Sequence, residues 1–269
     1  MSLHVRTWTF KRLPGLKSAA WQLLIFVLVT SISSIADAAQ KGLKAEANRK
    51  VKVLLITGGH GFEQKPFFKI FNENPEIAVT FASQGKTDAA AYDRDDLLTY
   101  DVVVLYDMPK TIGETQKAKF LSLFDKGMGL VVLHHALVSY QQWPQYEKIV
   151  GGKYLTENEK VGDTVTPASS YHEGLEVPIV IVATNHPVTE GVRDFTIVDE
   201  IYAGVRVQPD VALLFVTTHP LNRGRMMGWY RRQGKSRVVY LQLGHGPEAY
   251  ENANFQRLVA NSIRWTAGN

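Results

Sequence analysis

Histidines that follow hydrophobic runs are the residues of this sequence best suited to do chemistry. Five of the eight histidines stand where a strand is expected to end: His60, His134, His135, His219 and His245. Imidazole can transfer protons near neutral pH, and its neutral nitrogen can ligate a divalent metal ion. The pattern therefore points to acid–base or metal chemistry, provided that the fold brings these positions together.

The first half of the chain alternates short hydrophobic runs with amphipathic stretches. Strands are predicted at residues 51–57, 77–82, 102–106 and 130–133, and helices at 64–72, 114–126 and 140–150. Continuous Val, Leu and Ile runs separated by helices indicate a parallel sheet covered by helices on both faces.

The second half of the chain is expected to be partly antiparallel. Further strands are predicted at residues 179–183 and 211–218, and a hairpin is predicted around Gln233 and Gly234. A last helix, 254–266, has hydrophobic residues spaced to lie on one face. No repeat or long linker divides the chain, so one domain is expected.

In an open sheet of this kind, ligands bind beyond the carboxyl ends of the strands. His60 lies in "TGGHG", which lacks the spacing of a phosphate-binding loop and leaves two readings, a site residue or a helix cap. His134 and His135 would point to opposite sides of a continuing strand, so only one of them is expected to face the site. His219 either joins the site or merely ends a strand.

Three of the five strand-end histidines, His60, His134 and His245, form the predicted metal site. Neighbouring strand ends lie about 5 Å apart, so side chains from several of them can converge on one ion. Three histidines with an open fourth position are typical of catalytic zinc. A metal-free cluster of proton-carrying imidazoles is the alternative.

The stretch "VDEIY" could supply a carboxylate and a phenol at the same carboxyl edge of the sheet. Asp199, Glu200 and Tyr202 could bind a hydroxylated substrate, with Glu200 in a catalytic role. The alternative is an exposed acidic loop with Tyr202 as packing. His172 and His186 lie in turn-rich sequence and are expected to be structural.

Residues 1–38 have the layout of a secretory signal peptide. Basic residues precede the apolar run "WQLLIFVLV", and small residues at Ala36 and Ala38 follow it. Cleavage is expected after Ala38, giving a periplasmic or secreted protein. The alternative is an uncleaved anchor, although the run is shorter than the roughly 20 residues that span a membrane. The predicted organisation is a signal peptide (1–38), a polar lead-in (39–50) and one domain (51–269).

The charge and cysteine content exclude several function classes. Residues 1–38 hold four of the 30 Lys and Arg residues and one of the 26 Asp and Glu residues, which leaves 26 against 25. A nearly neutral chain has no electrostatic reason to bind nucleic acid or acidic membranes. The absence of cysteine excludes thiol catalysis and a lipid anchor on cysteine.

Several segments, in this order, resemble the trehalose-utilisation (ThuA-like) family. They are "GLVVLHHA", "NHPVTEGV", "FTIVDEIY" and "GWYRRQGKSRVVYLQLGHGPEAYENANFQRLVANSIRWTAG". The resemblance runs from about Val51 to Gly268. It implies a flavodoxin-like α/β fold of the class I glutamine amidotransferase-like superfamily, with an antiparallel hairpin portion, and a link to sugar metabolism.

The superfamily also suggests roles for two regions. Its members carry a cysteine at a strand-to-helix elbow, where this chain has His134, and a His-Pro-Glu motif, which His245 and Glu248 match with Gly246 inserted. The resemblance therefore implies that this chain has the fold of the superfamily without its thiol reaction. Ser139 lies too far beyond the elbow to replace the cysteine.

Two functions follow as expectations. The first is an exported hydrolase or lyase that acts on a glycoside or keto-sugar through these histidines, with no nucleotide cofactor. His60, His135, His219, Tyr202 and Trp143 would bind the saccharide, although tryptophan at such positions is more often core. The second is a sugar-binding or partner-docking module without catalysis.

Overall fold

The computed structural model of the chain describes residues 49–222 and 224–268. The predicted signal peptide lies outside these residues. Among the described residues, no helix is both long and apolar enough to cross a membrane.

The described chain contains thirteen strands and five α-helices. The strands are β1 (Val51–Gly58), β2 (Ile77–Gln84), β3 (Val102–Asp107), β4 (Gly129–Leu133), β5 (Gly152–Lys153), β6 (Glu159–Val161), β7 (Thr164–Thr166), β8 (Ser170–Ile181), β9 (Phe195–Ala203), β10 (Arg206–Val207), β11 (Ala212–Thr217), β12 (Met226–Gln233) and β13 (Ser236–Leu241). The helices are α1 (Gln64–Asn72), α2 (Glu114–Lys126), α3 (Pro144–Val150), α4 (Pro247–Glu251) and α5 (Ala253–Thr266).

One nine-stranded sheet organises the molecule, in the order β2-β1-β3-β4-β13-β12-β11-β8-β9. The first five strands pair in parallel. The others pair antiparallel, including the predicted β12–β13 hairpin. The prediction of a flavodoxin-like α/β sheet with an antiparallel portion is confirmed.

The central strands are continuous apolar runs because helices cover both faces of the sheet. All residues of β3 and β4 are buried. On one face the core includes side chains of α1 and α5, among them Phe67 and Phe255, and on the other face it includes side chains of α2 and α3, among them Phe120 and Ile149.

Two predicted elements differ from the structure. The predicted helix 140–150 begins only at Pro144, because Trp143 is extended and proline occupies the first turn. The predicted strand 179–183 is the end of the twelve-residue β8, whose first half reads as turn-rich sequence.

Candidate functional site

The glycines before His60 allow the chain at the end of β1 to lie close to a neighbouring backbone segment. Gly59 has φ +74°, and a Cβ there would lie 2.7 Å from the carbonyl carbon of Met108. Only glycine tolerates both conditions without strain. The turn brings His60 to the rim of a cavity at the carboxyl end of the sheet.

A sharp turn at the end of β4 directs two histidines to the same region. The chain passes from Leu133 into a 3₁₀ turn, His134–Val138, and His134 has φ +45°. The strand therefore does not continue through the histidine pair. Of the pair, His135 lines the cavity, whereas His134 is buried beside it and contacts the ring of His245.

His134 is fully buried and held on both sides of its ring. Its Nδ1 bonds the carbonyl oxygen of Gln242, and its Nε2 lies 3.0 Å from Nδ1 of His245. The same Nε2 is 3.3 Å from Oε1 of Glu200. Because a carbonyl oxygen can only accept, the Nδ1 of His134 carries a proton.

The loop after β13 fixes His245 by its backbone. Asp199 Oδ2 accepts the Gly244 N–H at 2.7 Å, and Oδ1 accepts the His245 N–H at 2.9 Å. The hydroxyl of Tyr106 donates to the Gly244 carbonyl, and that of Tyr250 donates to the His245 carbonyl. Asp199 therefore acts on the position of His245 through the main chain.

The β8–β9 pair supplies the acidic side of the site. Between His172 and Leu175 the pairing register shifts at a bulge that includes Gly174, which has φ +66°. Bulges bend strands and increase their twist. Beyond the bulge, Glu200 and Tyr202 lie against the cavity as buried strand residues. The alternative of an exposed acidic loop is therefore wrong.

These elements enclose a cavity of about 250 Å³. Its walls are formed by His60, Met108, His135, Val138, Tyr154, Tyr171, Glu173, Glu200, Tyr202 and His245. The sequence offered no signal for Tyr154, Tyr171 or Glu173, because these residues lie in irregular or turn-rich segments.

Two imidazoles of the cavity have nitrogens without a protein partner. Both ring nitrogens of buried His135 and the Nδ1 of His60 make no hydrogen bond in the described structure, and the two ring centroids are 4.7 Å apart. Buried polar atoms are rarely left unpaired. Burial, and then the charges of His134, His60 and His245, lower the pKa of His135 well below its usual value. His135 is therefore a neutral ring facing the cavity.

Burial and neighbouring charges shift the pKa values of three side chains of the site, His245, Glu200 and Tyr202. Burial and the charge of His134 lower the pKa of His245, so its ring is available as a base. Burial acts to raise the pKa of Glu200, but the hydrogen bond and charge of His134 outweigh it, and the net pKa is lowered. Burial and the charge of Glu200 raise the pKa of Tyr202, which stays a protonated phenol.

Other sequence candidates lie elsewhere. His219 follows β11 and accepts the N–H of Leu221, and Trp143 packs against Phe120 and Tyr146. Neither side chain lines the cavity. His186 caps a 3₁₀ turn and stacks on Tyr230, in agreement with a structural role, and His172 lies within β8 beside Ser170.

The amidotransferase-like motif is rearranged here. Glu248 is exposed in α4, whereas Glu200 is the carboxylate 3.5 Å from Nδ1 of His245. Ser139 is buried and donates to the Asp107 carbonyl. The carboxylate beside His245 is therefore Glu200 of β9 and not Glu248 of the motif.

One group of side chains could hold a metal ion. Ligand atoms of His134, Glu200 and His245 all lie within 4.8 Å of one another. The sequence hypothesis placed His60 in this set, but the His60 ring stacks near His135 and its centroid is 6.0 Å from that of His245. Glu200 takes the place predicted for His60.

The flavodoxin-like α/β fold of this chain is shared with ThuA-like structures. The family model described as trehalose utilisation (ThuA) matches residues 52–266, and the chain belongs to that family. No curated protein matches the sequence.

Several solved structures share the fold. A ThuA-like protein from Parabacteroides merdae aligns with TM-score 0.71 and 21% identity over 81% of this chain and 90% of its own. A ThuA-like protein from Bacteroides uniformis aligns with TM-score 0.53 and 21% identity over 80% and 91%. A β-galactosidase from Rahnella sp. R3 aligns with TM-score 0.53 and 13% identity over 80% of this chain but 31% of its own.

Proposed function

We propose that this protein is an exported, carbohydrate-active enzyme, a hydrolase or lyase that acts on a glycoside or keto-sugar. The observation that carries the proposal is the contact of His134, Glu200 and His245 at a cavity lined by further imidazoles. Membership of the trehalose-utilisation family supports a sugar as the ligand.

The size and lining of the cavity support a small sugar. Its volume of about 250 Å³ is just below the roughly 300 Å³ at which pockets for drug-sized ligands begin. Tyr154, Tyr171 and Tyr202 offer aromatic faces and hydroxyl groups. A single sugar unit with its leaving group at the open side suits this site.

A keto-sugar suits the chemistry of these residues. A ketone acidifies the neighbouring C–H bond, so His245 can take that proton as a neutral base. The electrons form a carbon–carbon double bond, the glycosidic C–O bond breaks, and the leaving oxygen gains a proton from an acid such as Tyr202. This route dispenses with the paired carboxylates of ordinary glycosidases.

A divalent ion such as zinc belongs to the same proposal. Bound at the His/Glu/His group, it would polarise a carbonyl or provide a water that titrates near neutrality. The assignment of His245 as the base applies to the metal-free site, because an imidazole that ligates an ion has no second lone pair to accept a proton.

The experiment is a turnover screen of the protein, without its first 38 residues, against keto-glycosides and plain disaccharides. His245→Ala should lower kcat by about 10²–10⁴, the usual range for a lost general base. Glu248→Gln is the matched control, because this glutamate is exposed and belongs to the motif without touching His245. Equal losses in both variants would contradict the proposed site.

Calorimetry separates the enzyme from a non-catalytic sugar-binding module. Saturable heat without turnover for any saccharide would favour the binding module. Neither heat nor turnover with any saccharide would contradict both functions.

Export is tested independently of the reaction. We expect the chain recovered from the periplasm or medium to begin at Ala39. N-terminal sequencing decides this, and a chain that begins at Met1 in the membrane fraction would favour an anchor.

A further inference from the structure

We propose that His134, Glu200 and His245 form a tetrahedral divalent-metal site with its fourth position open to the cavity. The inference concerns this chain's own ligands and can be tested without a substrate. The role of the ion rests on the proposed function, but Zn²⁺ binding is measured without a sugar, so the failure of one is distinguishable from the failure of the other.

The first argument is the protonation state of His134. Its Nδ1 faces the carbonyl oxygen of Gln242, so the proton of a neutral ring lies on Nδ1 and the lone pair on Nε2. That lone pair is 3.0 Å from His245 Nδ1 and 3.3 Å from Glu200 Oε1, and the side chains of His134 and Glu200 are 0% and 4% exposed. A proton or a metal ion shared by these groups would satisfy the acceptors that face one another.

The second argument is the spacing of the three groups. His134 Nε2 is 3.0 Å from His245 Nδ1 and 3.3 Å from Glu200 Oε1, and the other Glu200 oxygen is 3.5 Å from His245 Nδ1. Tetrahedral zinc has bonds of about 2.0–2.2 Å to nitrogen and oxygen, which places its ligands about 3.3–3.5 Å apart. The His134–His245 and His134–Glu200 separations are therefore near the spacing in such a tetrahedron, and one ligand atom from each of the three residues lies within 4.8 Å of the others.

The third argument is the support around the ligands. Carbonyl or carboxylate partners commonly fix the tautomer and orientation of metal-bound histidine. Here the Gln242 carbonyl holds the ring of His134, and Asp199 holds the backbone of His245. Glu200 is fixed within β9, where Asp199 also accepts the Glu200 N–H.

The last argument is the open side of the group. Glu200 and His245 line the cavity, in which His60 and His135 have nitrogens without a partner. Two histidines and one glutamate with an open position are a catalytic arrangement for zinc rather than a structural one. The unpartnered imidazoles are then available to a water or substrate oxygen that completes the metal sphere.

The test is metal binding by the chelator-treated chain, produced without a histidine tag and lacking its first 38 residues. Titration with Zn²⁺ should give one site by calorimetry, and Co²⁺ should give the intense visible absorption of a tetrahedral complex. Glu200→Gln and His245→Ala should each weaken Zn²⁺ binding by more than about 100-fold, beyond the 10–100-fold cost of losing an outer-shell partner.

His60→Ala is the matched control, because it removes a neighbouring imidazole that is not in the proposed ligand set. Its Zn²⁺ affinity should stay within about 10-fold of the parent, the lower limit for an outer-shell partner. Circular dichroism and thermal unfolding of the metal-free variants verify that each is folded. Absence of a Zn²⁺ site and of the Co²⁺ spectrum in the parent overturns the proposal and leaves a proton between His134 and Glu200. A loss in His60→Ala as large as in His245→Ala overturns the ligand set.

Discussion

The imidazoles of the site come from the parallel half of the sheet, whereas its carboxylates and two of its three phenols come from the antiparallel β8–β9 pair. His60, His134 and His245 follow β1, β4 and β13. Strands β1 and β4 pair in parallel on both sides, and β13 pairs in parallel with β4 and antiparallel with β12. Glu200 and Tyr202 lie on β9, the last strand of the sheet. Neither half holds both the bases and the carboxylates that the proposed chemistry needs.

The two regions also differ in how firmly they are packed. His134 and His135 are buried within the core of the parallel half. The tip of the β8–β9 pair is more open, and Tyr171 is 60% exposed. The comparison shows that the parallel half holds the imidazoles in buried positions. Asp199 and Glu200 of β9 complete the site, because Asp199 bonds the backbone of His245 and Glu200 contacts the His134 and His245 rings.

Removal of the Asp199 carboxylate should have the largest effect, because it joins the two regions. Asp199→Ala leaves the buried N–H groups of Gly244, His245 and Glu200 without their acceptor. At about 1–3 kcal/mol for each of the three unsatisfied groups, we expect the free energy of unfolding to fall by about 3–9 kcal/mol. Urea unfolding measures this loss.

A second aspartate provides the control for that experiment. Asp194 accepts only the Ile181 N–H within the antiparallel region, so Asp194→Ala should cost about 1 kcal/mol. Equal losses in the two variants would show that Asp199 does not join the regions.

The parallel half holds its own buried carboxyl, whose pKa contrasts with that of Glu200. Burial raises the pKa of Asp107 to about 7 from 3.8, against the hydrogen bond from Gln84. Between these pH values the unfolded chain has lost a proton that the folded chain keeps. Stability therefore falls as pH rises from about 4 to 7, and this contribution is flat on either side.

Asp107→Asn replaces the titrating carboxyl group by an amide that does not titrate. We expect the loss of unfolding free energy between pH 4 and pH 8 to be smaller in the variant by about 4 kcal/mol, from about 1.4 kcal/mol for each of about three units of pKa. Chemical denaturation across this range is the measurement, with the exposed Asp95→Asn as control. Parallel stability curves for parent and Asp107→Asn would contradict the assignment.

The smallest expected effects compare one glycine from each region. Gly59 and Gly174 both have positive φ, but a Cβ at Gly59 would meet the Met108 backbone, whereas at Gly174 nothing lies within 4 Å. Gly174→Ala should cost about 1 kcal/mol for the backbone strain alone. Gly59→Ala should cost about 2–3 kcal/mol because the close contact adds to that strain.

Thermal or urea unfolding of the two alanine variants gives the comparison directly. If Gly174→Ala were the more destabilising, the β8 bulge would be the more constrained turn, and the view of a rigid parallel half with a looser antiparallel pair would be wrong.

Sequence reasoning predicted the parallel half well. Strands β1, β3 and β4 and helices α1 and α2 fall where the hydrophobic runs placed them. The carboxyl-end positions of His60, His134 and His245 followed from parallel pairing alone. The exit from β4 was not predicted, because a positive φ at His134 depends on tertiary packing rather than on a glycine in the sequence.

The sequence by itself determined the α/β class and the strand ends that carry histidine, because continuous apolar runs specify strands buried on both faces. Only the tertiary structure decided that Glu200 completes the group with His134 and His245. Strands β12, β11 and β8 separate β13 from β9 in the sheet, so no local spacing relates their side chains. Glu200 meets the two histidines only through the fold of the β8–β9 pair beyond its bulge, a long-range arrangement that a pattern of neighbouring residues does not encode.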